Sequence, residues 1–340
     1  MATISDIAKK TNLSIGTISR VLNYDHTLSV TDETKRKVFE AAEQLNYQKH
    51  TKKADKRKKE QLKNSILILQ WLDNKEELED IYYMSIRIGV EKRAEELGFN
   101  VIKTAQIDES IIKTVNGIIA IGKFDQTTIT KISSLHSHVC FIGSNYPLRE
   151  FDSVNGDFAL ATELAIEHLL ELGHKKIGFI GVEEKENLYG HRLYKAPTTY
   201  TFVDYMTTLN LFNPDYFFFT HSDHHSTQLG EQLVEKAIQE LNGDMPTAFV
   251  VSHDAIAVGV IKKLTEKGFK IPEDISIVSI NDIAVAPFVS PSLTTVKIYT
   301  ESMGETAVDL IFDRIDGEKI ARRVILAPKL IVRESTGEVN

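Results

Sequence analysis

The first 48 residues carry apolar side chains at the spacing of three short helices. Ser5 is predicted to cap the first helix and Ser14 the second, because a hydroxyl there can accept the free amide N–H groups of a first turn. Thr31 begins the third helix, whose first turn is acidic. The predicted apolar faces comprise Ile7, Ala8, Ile18, Val21, Leu22, Val38, Ala41, Ala42 and Leu45. The pattern predicts a small all-α bundle.

From residue 64 the pattern changes to short apolar runs that alternate with amphipathic helices. The predicted strands are Ile66–Trp71, Val115–Ile121, Val139–Ile142, Lys176–Ile180, Thr247–Val251 and Ser276–Ile280. The predicted helices include Ile86–Leu97, Ala159–Leu172, Gln228–Leu241 and Ala255–Lys267. This alternation predicts parallel sheets with helices on both faces, and roughly 270 residues suffice for two doubly wound lobes. Such lobes bind ligands at the carboxyl ends of their strands.

The net charge of −8 is unevenly distributed. Residues 1–63 hold 14 basic and 8 acidic side chains, so the remainder carries a charge of −14. The basic excess lies in residues 49–63, because residues 1–48 hold six of each sign. A positive segment beside an acidic body is typical of nucleic-acid binding, although a solvated linker would have the same composition. We therefore predict a headpiece at 1–48, a basic linker or hinge at 49–63 and a core at 64–340.

The composition also indicates the cellular compartment of the protein. A single cysteine, Cys140, excludes an internal disulfide and a thiolate metal cluster. The apolar runs are too short to span a membrane, and the first residues lack the pattern of a secretory signal. We expect a cytoplasmic protein.

The predicted second helix presents small, hydroxylated or basic residues on its exposed face. Such a surface suits a helix lying in the major groove of DNA, whereas a generic bundle with a polar surface is the alternative. Hydroxyl and amide groups near the helix termini can bind phosphate oxygens. The predicted DNA-binding residues are Thr3, Ser14, Ile15, Gly16, Thr17, Ser19, Arg20, Asn23, Thr31, Lys49, Lys52 and Lys53.

Residues 3–8 (TISDIA), 17–23 (TISRVLN) and 34–38 (TKRKV) resemble the headpiece of the LacI/GalR family of transcription regulators. The resemblance continues through the core at residues 172–181 (LGHKKIGFIG) and 330–336 (LIVREST). It implies an all-α helix-turn-helix headpiece followed by an α/β core of two doubly wound parallel-sheet lobes, similar to periplasmic binding proteins. It also implies a repressor that binds double-stranded operator DNA under the control of a small sugar effector.

The family resemblance further implies a homodimer. The helix Ile86–Leu97 and the segment Ala255–Lys267 would supply the dimer face. Tetrameric members carry a leucine-heptad tail, which is not found before Asn340. We therefore expect a dimer rather than a tetramer.

A narrower similarity concerns the effector. Residues 80–87 (DIYYMSIR), 280–283 (INDI) and 291–296 (PSLTTV) look like the subgroup that regulates β-galactosidase and galactose genes. This similarity implies galactose or a galactoside as the effector, with no other cofactor. Control of another sugar operon, or by a phosphoprotein corepressor, remains open.

The linker departs from the family pattern. Family members place Pro, Ala and an intercalating Leu in the hinge, where residues 47–56 read YQKHTKKADK. An ammonium group cannot replace an apolar wedge between base steps. We therefore expect stronger phosphate attraction, weaker kinking of the DNA and a steep dependence on salt.

The effector pocket departs as well, because Thr198 stands near the place where family members have an arginine. A sugar site needs planar polar groups for hydroxyls and aromatic rings for the apolar ring face. The predicted effector-binding residues are Tyr82, Tyr83, Ile86, Arg192, His225, His253 and Asn281. Each could instead be an ordinary loop or packing residue.

Other classes of protein fit the sequence less well. His221, Asp223, His224 and His225 have a metal-binding composition, but no second ligand group accompanies them, so no metal is expected. The chain has neither a glycine-rich phosphate loop nor an indicated acid/base or nucleophile arrangement, which argues against an enzyme. A solute-binding protein for a transporter would fit the core alone, but it would need a secretory signal and no headpiece.

Overall fold

A computed structural model describes residues 3–22, 28, 30–45, 64–72, 81–144, 148–183, 188–189, 192–222 and 225–339, without the side chains of residues 32, 43, 188, 189, 192 and 193. The chain divides into two compact units, residues 1–61 and 62–340. The boundaries expected at 48 and 63 fall on residues outside these described ranges.

The first unit contains the three expected helices. They are α1 (Ile4–Thr11), α2 (Ile15–Leu22) and α3 (Asp32–Gln44). Their inward faces bury a common apolar cluster built on Ile7, Ile18, Val21, Val38, Ala41 and Ala42. The chain turns between α1 and α2 at Asn12, whose φ of 57° is left-handed, a conformation that asparagine tolerates. These features define a helix-turn-helix bundle.

The predicted cap Ser14 is confirmed, and Thr31, predicted to begin the third helix, precedes it as a capping residue. Ser14 Oγ accepts a hydrogen bond from the Thr17 amide at 3.0 Å, and Thr31 Oγ1 accepts one from Thr34 at 3.3 Å. The assignment of Ser5 to α1 is wrong, because Thr3 is the cap. The Asp6 carboxylate accepts a bond from the Thr3 amide at 2.8 Å while Thr3 Oγ1 accepts from the Asp6 amide, a reciprocal arrangement that Ser5 does not form.

The second unit alternates strands and helices as predicted. Its strands are β1 (Ser65–Gln70), β2 (Asn100–Thr104), β3 (Gly117–Ile121), β4 (Val139–Ile142), β5 (Asp152–Gly156), β6 (Ile177–Glu183), β7 (Leu188–Tyr189), β8 (Arg192–Leu193), β9 (Phe217–His221), β10 (Ala248–Val251), β11 (Ser276–Asn281), β12 (Thr294–Lys297), β13 (Arg323–Leu326) and β14 (Lys329–Ile331). Its helices are α4 (Ile81–Glu96), α5 (Glu109–Ile112), α6 (Gln126–Leu135), α7 (Phe158–Glu171), α8 (Pro197–Thr208), α9 (Thr227–Leu241), α10 (Asp254–Glu266) and α11 (Thr300–Ile315), with 3-10 turns at Pro214–Tyr216 and Ala286–Phe288.

Two six-stranded sheets define two lobes. The N-lobe sheet has the order β13-β5-β4-β3-β1-β2 and is parallel throughout. The C-lobe sheet has the order β14-β12-β11-β10-β6-β9, in which only the β12–β14 pair is antiparallel. The chain passes between the lobes after β5, after β12 and after β13. This is the predicted pair of doubly wound lobes.

One apolar core connects the two lobes. It includes Ile68 and Val308 from the N-lobe and Leu169 and Val250 from the C-lobe, all at most 1% exposed. The opposite face of each sheet packs a separate apolar cluster. Burial of apolar area is the main favourable term in folding, so the shared core stabilises the lobes together.

Two pairs of helices approach closely through glycines. A Cβ placed on Gly89 of α4 would lie 2.0 Å from the Glu301 carbonyl oxygen, and one on Gly304 of α11 would lie 2.2 Å from the Ile86 carbonyl oxygen. Gly230 of α9 and Gly259 of α10 stand in the same relation to the backbone of the opposite helix. Each lobe therefore contains a helix pair whose spacing allows no side chain at the contact.

We expect Gly304→Ala to lower the free energy of unfolding of the core by roughly 1–3 kcal/mol, because the methyl group overpacks the helix contact. Helix propensity alone would give the opposite sign, since Ala is favoured over Gly by about 1 kcal/mol. Urea denaturation followed by circular dichroism measures the sign. Gly16→Ala is the control: its Cβ would meet only Ser14 Oγ at 3.7 Å, so no loss is expected. A stabilised Gly304→Ala protein would contradict the close contact.

Candidate functional sites

The outer face of α2 is formed by Ile15, Gly16, Ser19 and Arg20. Ile15 and Ser19 are one helical turn apart, as are Gly16 and Arg20. Ile15 is 55% exposed, which is unusual for an isoleucine in a small bundle. A Cβ at Gly16 would make only an ordinary contact with Ser14 Oγ at 3.7 Å, so packing within the headpiece does not require glycine there. A small residue beside an exposed apolar one suits the close approach of another surface.

Hydroxyl groups gather at the amino-terminal ends of the three helices. Ser14 Oγ and Thr17 Oγ1 share a hydrogen bond of 2.9 Å at the start of α2, and Thr31 and Thr34 share one of the same length at α3. Thr3 caps α1 and bonds Asp6. Helix amino termini favour anions such as phosphate. The other predicted DNA contacts, Asn23, Lys49, Lys52 and Lys53, lie outside the described residues.

A cavity of about 160 Å³ lies at the carboxyl ends of strands from both sheets. Five of the predicted effector residues line it: Tyr82, Tyr83, His225, His253 and Asn281. The remaining described residues of the wall are Ile81, Lys123, Gly143, Asn155, Phe158, Val182, Ala196, Pro197, Thr198, Ala255 and Ile283. Doubly wound folds bind their ligands at these carboxyl ends of the strands.

Two predicted effector residues, Ile86 and Arg192, are not among the described residues that line this cavity. Ile86 is fully buried in the shared core, because it follows Tyr82 by one helical turn on the inward face of α4. It therefore packs against the core rather than against the cavity. The backbone of Arg192 belongs to β8, and its side chain lies outside the described atoms.

Eleven wall residues were not among the predicted effector contacts, and four of them have polar or aromatic side chains: Lys123, Asn155, Phe158 and Thr198. Lys123 comes two residues after β3, so the carboxyl-end rule could have found it. Asn155 lies in β5, whose sequence DSVNG has no apolar run to predict a strand. Thr198 is 3% exposed and occupies the place where the family pattern predicts an arginine.

His225 and His253 form a stacked pair in the cavity wall, with ring centroids 3.6 Å apart and planes inclined by 26°. Burial, together with the smaller effect of the nearby charge of Lys123, lowers the pKa of His253 to about 3. His253 is therefore a neutral imidazole at physiological pH, with one donor and one acceptor. Its Nδ1 lies 2.9 Å from Ser252 Oγ.

An aromatic group faces the same cavity. The ring of Tyr82 lies 5.1 Å from that of Tyr83 in an edge contact and 6.3 Å from that of Phe158. Aromatic faces bind the apolar C–H surface of small ligands, while nearby amide and imidazole groups orient their hydroxyls. The wall thus has both kinds of group that a sugar requires.

Asn281 ends β11 with a φ of 127°, and the next residue, Asp282, has a φ of 57°. Such conformations are sparsely populated for residues other than glycine and persist where neighbouring contacts impose them. Asn281 is 8% exposed, and its Oδ1 is buried without a hydrogen-bond partner among the described residues. This acceptor is available to a ligand in the cavity.

The buried carboxylate of Asp254 holds the Asn281–Ile283 segment and the strands beside it through three hydrogen bonds. It accepts hydrogen bonds from the hydroxyls of Ser279 and Thr295, the latter at 2.6 Å, and from the amide of Ile283 at 2.8 Å. Burial raises the pKa of Asp254 to about 6, although these hydrogen bonds act in the lowering direction. The group is therefore mostly ionised at pH 7, where it accepts all three bonds.

Arg333 holds the same segment from the other side. It donates to Asp282 Oδ1 at 2.7 Å and to the Leu293 carbonyl oxygen at 2.7 Å. Lys297 Nζ lies 3.5 Å from the other Asp282 oxygen. Arg333 follows β14, which begins shortly after the third passage between the lobes. The Asn281–Ile283 segment is thus fixed by charged groups from distant parts of the chain.

Metal and membrane binding receive no support from the parts of the chain that the structure describes. No group of three or more His, Cys, Asp or Glu side chains is placed to hold a metal ion there. Asp223 and His224 of the histidine-rich segment lie outside those parts. Within the same residues, no helix combines the length and the apolar character needed to cross a bilayer.

The fold and the two sites define a helix-turn-helix transcription regulator with a periplasmic-binding-like core. The family profile for bacterial regulatory proteins of the lacI family matches residues 3–50, and that for a periplasmic binding protein-like domain matches residues 166–336. The chain belongs to the LacI family of transcription regulators, whose members are not enzymes.

Similar proteins cover nearly the whole chain. The transcriptional regulator GalR of Lacticaseibacillus casei is 36% identical over 99% of this chain and 100% of its own length. GanR of Bacillus subtilis (strain 168) is 40% identical over 98% of this chain and 99% of its own. The crystal structure of a lac repressor dimer bound to operator and the anti-inducer ONPF shares 23% identity, covers 99% of both chains and gives a TM-score of 0.66. The last similarity concerns the fold.

We expect Arg333→Ala to loosen the Asn281–Ile283 segment, because Asp282 loses its shortest ion pair. Hydrogen exchange at the Ile283 amide should accelerate at least tenfold. Glu334→Ala is the control, since Glu334 bonds Ser292 and makes no contact with Asp282. Equal exchange rates in the two variants would show that Arg333 does not hold the segment.

Proposed function

We propose that this regulator is a cytoplasmic homodimeric repressor of galactose or galactoside utilisation genes, released from operator DNA by its sugar effector. The observation that carries the proposal is one cavity wall that combines aromatic rings with neutral planar polar groups. Tyr82 and Phe158 suit the apolar face of a sugar, and His253 and Asn281 suit its hydroxyls. The choice of galactosides rests on the similarity at residues 80–87, 280–283 and 291–296.

The headpiece supplies the operator contact. The α2 face of Ile15, Gly16, Ser19 and Arg20 is proposed to enter the major groove, with the hydroxyls of Ser14 and Thr17 on the phosphates. The similar lac repressor is a dimer on its operator. For this chain, α4 would contribute to the dimer face, since it leaves Ile88 41% exposed.

Control follows from the position of the cavity between two lobes. A ligand that binds one relative orientation of the lobes more tightly shifts the population toward it. A coupling of about 2–3 kcal/mol gives roughly 30- to 150-fold control of operator affinity.

We expect Arg20→Ala to weaken specific operator binding at least tenfold while the protein stays folded, because a charge-assisted contact to phosphate or guanine is lost. An operator fragment is first selected from random DNA by its binding to the protein. Fluorescence anisotropy with this fragment then measures the affinity at several salt concentrations. Lys9→Ala is the control, since it removes an exposed charge on α1 outside the α2 face. Undiminished binding by Arg20→Ala would refute the assignment of α2.

We expect galactose or a galactoside to release the operator, and gel shifts in the presence of galactose, lactose, raffinose and a phosphorylated sugar test this. Asn281→Ala should reduce the response at least tenfold, because it removes the buried acceptor from the cavity wall. Release of the operator only by an unrelated sugar would indicate that the protein controls another sugar operon. A response that requires an added phosphoprotein would assign a corepressor, and both results would contradict the galactoside proposal while leaving DNA binding intact.

A further inference from the structure

A second cavity of about 440 Å³ adjoins the first. The two cavities share four wall residues: Ile81, Tyr82, Asn281 and Ile283. The remaining wall of the second cavity comes from the passage between β12 and α11 and from the first turns of α4 and α11. It therefore lies beside a connection between the lobes, with Asn281 and Tyr82 at the junction.

The second wall is chemically unlike the first. Three short hydroxyl side chains, Ser85, Thr300 and Ser302, line it, and Thr300 Oγ1 donates to Ser85 Oγ at 2.8 Å. Tyr299, Lys297 and Glu301 complete its polar wall. Asp282 contributes a carboxylate that is already held by Arg333. The first cavity has the imidazole rings of His225 and His253, whereas the second has short hydroxyl groups and the charged side chains of Lys297 and Glu301, which can donate and accept hydrogen bonds. A polar, hydroxyl-rich group fits the second wall.

Asn281 connects the two spaces. Its buried Oδ1 has no hydrogen-bond partner among the described residues, and a buried acceptor without a donor is unfavourable. Because Asn281 belongs to both walls, a ligand that passes from one cavity to the other can donate to this oxygen. Tyr82 belongs to both walls as well and offers an aromatic surface at the same place.

The volumes favour a ligand larger than one ring. Cavities for small-molecule ligands are typically about 300–1,000 Å³, and the first cavity of 160 Å³ falls below this range. The second cavity of 440 Å³ brings the combined site within it. A single hexose would leave the hydroxyl-rich part of the site unused.

We propose that the second cavity is a second sugar subsite and that the effector is a galactoside of two or more rings, with its glycosidic linkage beside Asn281 and Tyr82. This inference rests on the proposed function, because it deepens the identity of the effector at the same site. The ring that fits the first cavity contacts the aromatic wall, and the next ring contacts Ser85, Thr300 and Ser302.

Isothermal titration calorimetry of the full-length protein tests the subsite with D-galactose, melibiose, lactose and β(1→4)-galactobiose. At least one disaccharide should bind ten or more times as tightly as galactose. Thr300→Val should weaken that disaccharide at least fivefold and change galactose binding less than twofold, because it removes a hydroxyl only from the second wall. Thr306→Val, nearly two turns further along α11 and outside both walls, is the control and should change neither affinity.

Ser85→Ala provides an independent variant if Thr300→Val does not fold, and the same selective loss is expected. Equal affinities for galactose and every disaccharide would overturn the subsite, as would equal losses of both ligands in these variants. In either of these cases galactoside control of the operator would still stand. If no galactoside of any size bound, the proposed function itself would fail, and the gel-shift experiment would show this separately.

Discussion

The carboxylate of Asp254 is the constraint on which the effector wall depends. It is fully buried at the start of α10, and its three hydrogen bonds connect β11, β12 and the segment after Asn281. An ionised group in such a place costs several kcal/mol unless its donors stay in position. The positive-φ backbone at Asn281 and Asp282 is therefore held by the hydrogen bonds of this carboxylate, and Arg333 adds a second charged contact.

Elsewhere in the core, close packing of helices provides the rigidity. Inside each lobe, a pair of helices meets backbone to backbone at glycines, which leaves no room for the helices to slide toward each other. The chain passes between the lobes three times, and Lys297 lies at the second of these passages. Motion between the lobes as whole bodies is thus favoured over motion within them, since packed interiors resist deformation.

Much of this architecture could be predicted from local patterns. Val139–Ile142 was predicted with its observed bounds because it is an unbroken apolar run, and α2 because its cap and apolar spacing agree. The strand β5 was missed because Asp152, although fully buried, is neutralised by Arg314 from a distant helix, which no local pattern reveals.

The candidate sites show the same division. The residues at strand ends, His253 and Asn281, could be predicted because a doubly wound fold places ligands there. Ile86 could not be distinguished from its neighbours Tyr82 and Tyr83 without knowing which face of α4 is turned inward. The stacking of His225 on His253 joins two loops that are far apart in sequence, and only the folded chain brings them together.

The strap at residues 333–339 has a consequence for biosynthesis. Ser335 bonds Ile277 and Thr294, and Thr336 bonds His168, so residues of the C-lobe acquire these partners only from a segment translated after them. Domains generally fold as they leave the ribosome, amino-terminal parts first. The DNA-reading headpiece is thus made before the sugar wall is complete. Under the proposed function, a nascent chain that stops short of the strap would carry a complete headpiece beside a cavity wall that lacks these contacts.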